Sequence, residues 1–225
     1  MIKFEKVSKN FGTLTALEEV TFEIGSGEFV FLIGPSGSGK TTLLNLILGN
    51  YHPDKGEIKV ANTDLSTVKK KKLTEYRRRL GIVFQDFKLI NDLTVYENVA
   101  LALRVMNFPE DKISQEVMEA LEMVGLKDRA EDFPSQLSGG ELQRIGIARA
   151  IVGDPEIIIA DEPTGNLDLE TAKQIINLLK KINDLGKIVI VATHNFEIVN
   201  NMKERVLKLD KGHLITDKEK GKYQF

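Results

Sequence analysis

Eight consecutive residues, Gly34, Pro35, Ser36, Gly37, Ser38, Gly39, Lys40 and Thr41, fit the pattern G-x-x-x-x-G-K-[ST]. Their chemistry is phosphate binding. Glycines free of a Cβ let successive backbone N–H groups turn inward onto anionic oxygens. A lysine following them reaches the β- and γ-phosphates of a nucleotide, and a hydroxyl following the lysine is a ligand for Mg²⁺. Such a loop needs a strand before it and a helix after it. Residues 28–33 are an apolar run that reads as a buried strand, and residues 42–48, opening at Thr42, read as a helix. The helix start adds free N–H donors and the positive end of its dipole.

Four further segments narrow the chemistry. Residues 157–162 are a short apolar run ending in Asp161 and Glu162, which reads as a buried parallel strand with its carboxylates at the C-terminal edge, where α/β folds bind ligands. Asp161 is a candidate for holding Mg²⁺ and Glu162 for the base that polarises an attacking water. Ser138, Gly139, Gly140 and Glu141 have capping-box spacing, so the plain reading is a well-capped helix over 141–151. The glycine pair also leaves bare N–H groups at that helix start, a second anion site. Two phosphate-binding helix starts about a hundred residues apart suggest a homodimer with each ATP held between the two copies. His194 follows the apolar strand 188–192 and is placed to touch the γ-phosphate, although a lone histidine is more often structural. Gln85 follows the strand 80–84, and its amide can reach Mg²⁺ and the lytic water.

In this order and spacing the segments resemble the nucleotide-binding domain of ABC transporters over essentially the whole chain. The matching motifs are the Walker A loop (34–41), the glutamine loop (Gln85), the signature (137–141), the Walker B strand with its glutamate (157–162), the D-loop (165–168) and the switch histidine (His194). The resemblance implies a single domain over 1–225. Its fold is an α/β P-loop NTPase: a RecA-like mixed sheet, an N-terminal antiparallel β-subdomain and an inserted helical lobe at about 87–150. It implies ATP and Mg²⁺ as cofactors, with Thr41, Gln85 and Asp161 on the metal and 138–141 acting across the dimer. It also implies that Phe11 stacks on adenine, against the alternative of an ordinary core aromatic. Asn195 departs from the Asp that many relatives carry after the histidine.

Residues 83–90, 94–99, 160–168 and the tail Lys220–Tyr223 are similar to the FtsE subfamily of cell-division ATPases, with Asp86 and Phe87 the main discriminator. That likeness implies the membrane protein FtsX, or another ABC permease, as partner, docking around 86–99. ATPases of lipoprotein release and macrolide efflux share part of the pattern and remain an alternative. A soluble ABC-type ATPase of DNA repair or translation is a further one, without the coiled coil, zinc cysteines or second cassette usual there.

Bulk properties agree. The 225 residues carry 31 Lys+Arg against 33 Asp+Glu, a net charge of −2, which argues against nucleic acid as the main partner. There are no cysteines, hence no disulfide framework or thiolate metal site. No apolar run approaches the ~20 residues of a spanning helix, and the first residues lack the apolar core of a signal peptide. The expectation is a peripheral protein at the cytoplasmic face of the membrane, attached through its partner. Strands are expected within 2–33 and at 56–60, helices at 95–104, 114–124 and 169–183, strands at 187–193 and 205–209, and a hairpin to 213–216. The basic runs 69–72 and 77–79 read as a solvated helix with basic ends.

Overall fold

The computed structural model describes residues 1–219, so the tail Lys220–Tyr223 lies outside the described residues. In chain order the elements begin β1 Ile2–Phe11, β2 Leu14–Ile24, β3 Phe29–Ile33, α1 Lys40–Ile47, β4 Lys55–Val60, β5 Thr63–Asp64, α2 Lys70–Arg77 and β6 Leu80–Val83. Three helices follow, α3 Val95–Val105, α4 Glu110–Met123 and α5 Gly139–Ile151. The chain continues through β7 Ile157–Asp161, α6 Leu169–Asn183, β8 Ile188–Ala192, α7 Phe196–Met202, β9 Arg205–Asp210 and β10 His213–Lys218.

The strands form two sheets. One is antiparallel, in the order β2-β1-β4-β5, and the other is six-stranded, in the order β10-β9-β3-β8-β7-β6. In the second, β9, β3, β8, β7 and β6 are parallel and β10 pairs antiparallel with β9. Central parallel strands are covered on both faces and therefore read as unbroken apolar runs; all five residues of β3 are buried. Alternation sorts them between two cores. Phe29, Phe31 and Ile33 face α3–α7, while Val30 and Leu32 face α1, α2 and the antiparallel sheet.

Helices α3–α5 are inserted between β6 and β7, and buried polar side chains fix their connections. Asn98, in the first turn of α3, is fully buried. Its Oδ1 accepts from Ile90 N–H at 2.8 Å, and its Nδ2 reaches the carbonyls of Ile90, Leu93 and Thr94 at 3.0, 3.1 and 2.9 Å. One amide thus satisfies most of the turn that leads from the Gln85 loop into the helices. Thr94 and Glu97 close a capping box at the same helix start.

Replacing Asn98 by Leu keeps the branched shape and the number of side-chain heavy atoms and orphans these buried backbone groups. Urea unfolding should show a loss of about 2–4 kcal/mol at unchanged m. A loss below about 0.5 kcal/mol would mean that the turn finds other partners.

Candidate active site

The C-terminal ends of β3, β8, β7 and β6 lie side by side, and each is followed by a residue singled out from the sequence. Residues 34–41 leave β3, His194 follows β8, Asp161 ends β7 with Glu162 behind it, and Gln85 follows β6. Register sets their level: Leu32 and Asp161 both pair with Ala192. The side chains meet in a cleft of about 730 Å³ lined by Phe11, Ser36–Thr42, Gln85, Asp161, Glu162 and His194, with Leu14, Thr15 and Ala16 from the start of β2.

The loop's glycines are held by sterics as well as by their dihedrals. Gly34 (φ 152°) and Gly39 (φ 107°) have no room for a side chain: a Cβ would lie 2.3 Å from Leu209 O and 2.6 Å from Ala16 O respectively. Gly37 (φ 77°) has open space and needs only the dihedral. Gly39 is the N-cap of α1 and offers no side-chain cap, so the first-turn N–H groups are left without a capping acceptor. Ser38 Oγ is buried with no hydrogen-bond partner among the described residues. An uncapped helix start and an orphaned hydroxyl on one loop are a cradle suited to an anion. Lys40 Nζ donates to Gly34 O at 2.7 Å and to Pro35 O at 3.1 Å. Burial lowers its pKa, with Glu162 and Asp161 opposing.

Asp161 is half-buried. Burial, together with the neighbouring Glu162, pushes its carboxyl above the usual range, and Lys40 counteracts this. Glu162 adopts a left-handed backbone, φ 48°, uncommon for a residue with a side chain. Its N–H donates to Ala192 O at 2.9 Å. The carboxylate is gripped twice by one residue, at 2.9 Å from His194 Nδ1 and at 3.3 Å by the His194 N–H. His194 itself is 70 % exposed. Asn195, the departure noted above, caps α7 through Ile198 N–H at 3.2 Å.

Gln85 is exposed and meets Asn166 of the 165–168 loop: Gln85 Nε2 donates to Asn166 Oδ1 at 3.4 Å, and Asn166 Nδ2 to Gln85 O at 3.2 Å. Phe11 is 42 % exposed at the mouth of the cleft, which removes the core-aromatic alternative. Tyr51 stands edge-on to it at 5.2 Å. Sequence reasoning placed Asn166 in the D-loop without naming its partner, and assigned nothing to Tyr51 or Thr15. Phe11 pairs with Leu14 across a tight hairpin, which brings Thr15 to the cleft beside it.

Ser138–Glu141 do not line this cleft. Ser138 caps α5 in a full capping box: Glu141 Oε2 accepts from Ser138 N–H at 2.8 Å and from Ser138 Oγ at 2.7 Å. Those bonds, hydroxyl first, hold the Glu141 carboxyl below its usual range. A Cβ on Gly140 would lie 2.6 Å from Thr171 Cγ2, so this loop is seated on the start of α6. The described residues contain no cluster of three or more His, Cys, Asp or Glu able to hold a metal. The donors at hand are the Thr41 hydroxyl, the Gln85 amide and the Asp161 carboxylate, a set that suits Mg²⁺ taking its remaining ligands from phosphate and water.

Known proteins carry the same frame. The sequence model of the ABC transporter family matches residues 17–165. The chain is 46 % identical over 224 residues to the cell division ATP-binding protein FtsE of Bacillus subtilis (strain 168), covering 99 % of this chain and 98 % of that protein. It is 46 % identical to the protein of that name from Escherichia coli (strain K12), with 95 % and 97 % covered. The dimeric post-hydrolysis state of the ATP-binding cassette MJ0796, bound to ADP and Pi, superposes with a TM-score of 0.86 at 38 % identity, covering 99 % of this chain and all of that one. The family match over 17–165 and relatives of such identity and coverage, on a chain whose four parallel strands deliver a phosphate cradle, two carboxylates, a histidine and a glutamine to one cleft, make it a member of the ABC transporter family, on its ATP-binding, ATPase side.

Proposed function

We propose that this chain is the Mg²⁺-dependent ATPase subunit of a cell-division ABC complex. Two copies close head to tail on two ATP molecules, and the motion passes to a membrane partner of the FtsX type that regulates cell-wall hydrolysis. The observation that carries the reading is the division of the site. Lys40, Asp161, Glu162 and His194 share one cleft, while Ser138–Glu141, also a helix start with bare glycine N–H groups, stand outside it. A second copy supplies what is missing, and the related cassette is dimeric. The names of the relatives support the cell-division role.

In this reading Phe11 stacks the adenine, with Tyr51 behind it. The 34–42 backbone and Lys40 hold the phosphates, Lys40 giving up its bonds to Gly34 O and Pro35 O. Thr41, Gln85 and Asp161 would hold Mg²⁺, which would neutralise phosphate charge when bound. Glu162 takes the proton of the attacking water, its carboxylate aimed by His194. Gly139 and Gly140 of the other copy present N–H groups to the γ-phosphate, and Glu141 keeps the Ser138 cap in place.

The partner's docking surface is proposed at the Asp86–Val99 segment and the groove beside it. Asp86 is exposed and pairs with Lys88 at 2.6 Å, and Leu89 packs into the helical core. The adjoining groove is lined by Arg78, Leu101, Ala102, Val105 and Met106, with Val105 70 % exposed. No helix among the described residues is long and apolar enough to cross a membrane, which fits attachment at the cytoplasmic face through the partner.

Three outcomes test the reading. Glu162→Gln should cut phosphate release from ATP by at least ~100-fold while ATP binding survives; near-normal turnover would remove Glu162 as the base. Ser138→Arg puts a bulky cation where the second copy's γ-phosphate docks. Each monomer should still bind ATP in a fluorescent-nucleotide titration, yet ATP-induced dimers should vanish from sedimentation profiles together with hydrolysis. Activity indifferent to this change would point to a monomeric ATPase. Asp161 gives a pH test. Its folded pKa is raised, so its contribution to stability is present at acid pH and is lost as pH rises through that pKa. Asp161→Asn should therefore melt higher than the parent at pH 7, and the gap should close below the ordinary carboxylate range, near pH ~4. The same variant should lose at least about tenfold in Mg²⁺-dependent turnover. A lower melting point at pH 7 would show that attraction to Lys40 outweighs burial.

A further inference from the structure

Two consecutive residues after Gln85, Phe87 (φ 58°) and Lys88 (φ 49°), adopt left-handed backbone, although neither is glycine. Such a pair persists only where its surroundings over-determine it. The contact that does so comes from α5. Arg149 Nη2 donates to Phe87 O at 2.7 Å, and Nη1 to Lys88 O at 2.6 Å. Arg149 is half-buried, and burial, with no carboxylate opposing it, lowers its pKa. A guanidinium with no counter-charge among the described residues, forked onto two carbonyls, is a structural clamp rather than a surface ion pair. Two turns earlier on the same helix, fully buried Gln143 donates to Phe84 O at 3.3 Å. α5 therefore grips the chain on both sides of Gln85 and Asp86.

We propose that Arg149 is a positioning residue for hydrolysis: by clamping the Phe87 and Lys88 carbonyls it fixes where the Gln85 amide points. It also ties that amide to the helix whose first turn carries Ser138. The two groups that act on opposite ATP sites of a dimer, Gln85 in its own and Ser138 in the partner's, then move as one body on α5. Arg149 also lines the groove between α2, β6 and α3. The proposal rests on Gln85 taking part in hydrolysis, as set out above.

Arg149→Lys tests it, because an ammonium keeps the charge and cannot fork across two carbonyls. The melting temperature reports folding. Fluorescent-ATP affinity without Mg²⁺ should stay within about twofold, since the phosphate loop and Phe11 are untouched, while kcat should fall about tenfold and the half-saturating Mg²⁺ concentration should rise several-fold. Gln85→Ala should show the same losses, and the double variant should be no worse than Gln85→Ala alone. Losses that multiply in the double variant, or a lowered melting point with kcat per folded site unchanged, would make Arg149 a staple of the fold and overturn the proposal. Lys88→Pro attacks the clamp from its exposed side, since proline cannot adopt the positive φ, and carries the same test if Arg149→Lys does not fold. Gln85→Ala with normal turnover would dismiss Gln85 and this proposal together, and would leave the ATPase assignment to stand on Glu162.

Discussion

Parallel pairing of β3, β8, β7 and β6 is the constraint on which the site depends. Neighbouring strands lie about 4.8 Å apart, and the shared register of Leu32, Ala192 and Asp161 ends three of them at one level. Whatever leaves those edges is brought within reach of its neighbours before any side chain chooses a rotamer. The phosphate loop, the Asp161-Glu162 pair and His194 lie far apart in sequence and become one cleft for that reason alone. The left-handed turn at Glu162 refines the result. It keeps the Glu162 N–H on Ala192 O and delivers the carboxylate to His194.

A second constraint acts through α5. Its start is capped by Ser138 and Glu141, its flank holds Phe84, and its last turn holds Phe87 and Lys88. The 165–168 loop lies between the two functional ends of the chain. Asn166 touches Gln85 on one side, and Leu167 and Thr171 pack under Gly139 and Gly140 on the other. Each of these contacts is modest, about 1 kcal/mol net for an ordinary hydrogen bond. Their value is geometric, because they join the cleft to the loop proposed to serve the other copy. Asp161, by contrast, is held against the preference of its carboxyl, which rises on burial. Natural sites keep such groups at some cost in stability.

The frame was legible where local chemistry marks it. The apolar runs of β3, β7 and β8 and the Ser138–Glu141 spacing appear in the structure as read, and α6 begins and ends at the residues given. Other elements were displaced or missed for physical reasons. The helix expected from 114 starts at Glu110, because Pro109 takes its N-cap position and Glu110 and Asp111 suit the positive end of the dipole. The short α7 carries too few turns to show a period. The basic ends of α2 are not uniformly solvated. Arg77 binds Leu48 O, Gly49 O and Asn50, closing the end of α1, and Arg79 pairs with Glu156 at 2.7 Å. The left-handed backbones of Phe87, Lys88 and Glu162 left no mark in the sequence, because only glycine advertises that conformation.

The claim that one chain holds half of each site is reached most directly by the structure of the Glu162→Gln variant with ATP and Mg²⁺. The account predicts two copies related by a twofold axis, each ATP lying between residues 34–41 of one copy and Ser138–Glu141 of the other, with Phe11 on the adenine. A monomer with ATP fully enclosed by its own residues, or a dimer whose Ser138–Glu141 loops stay away from the nucleotide, would contradict it.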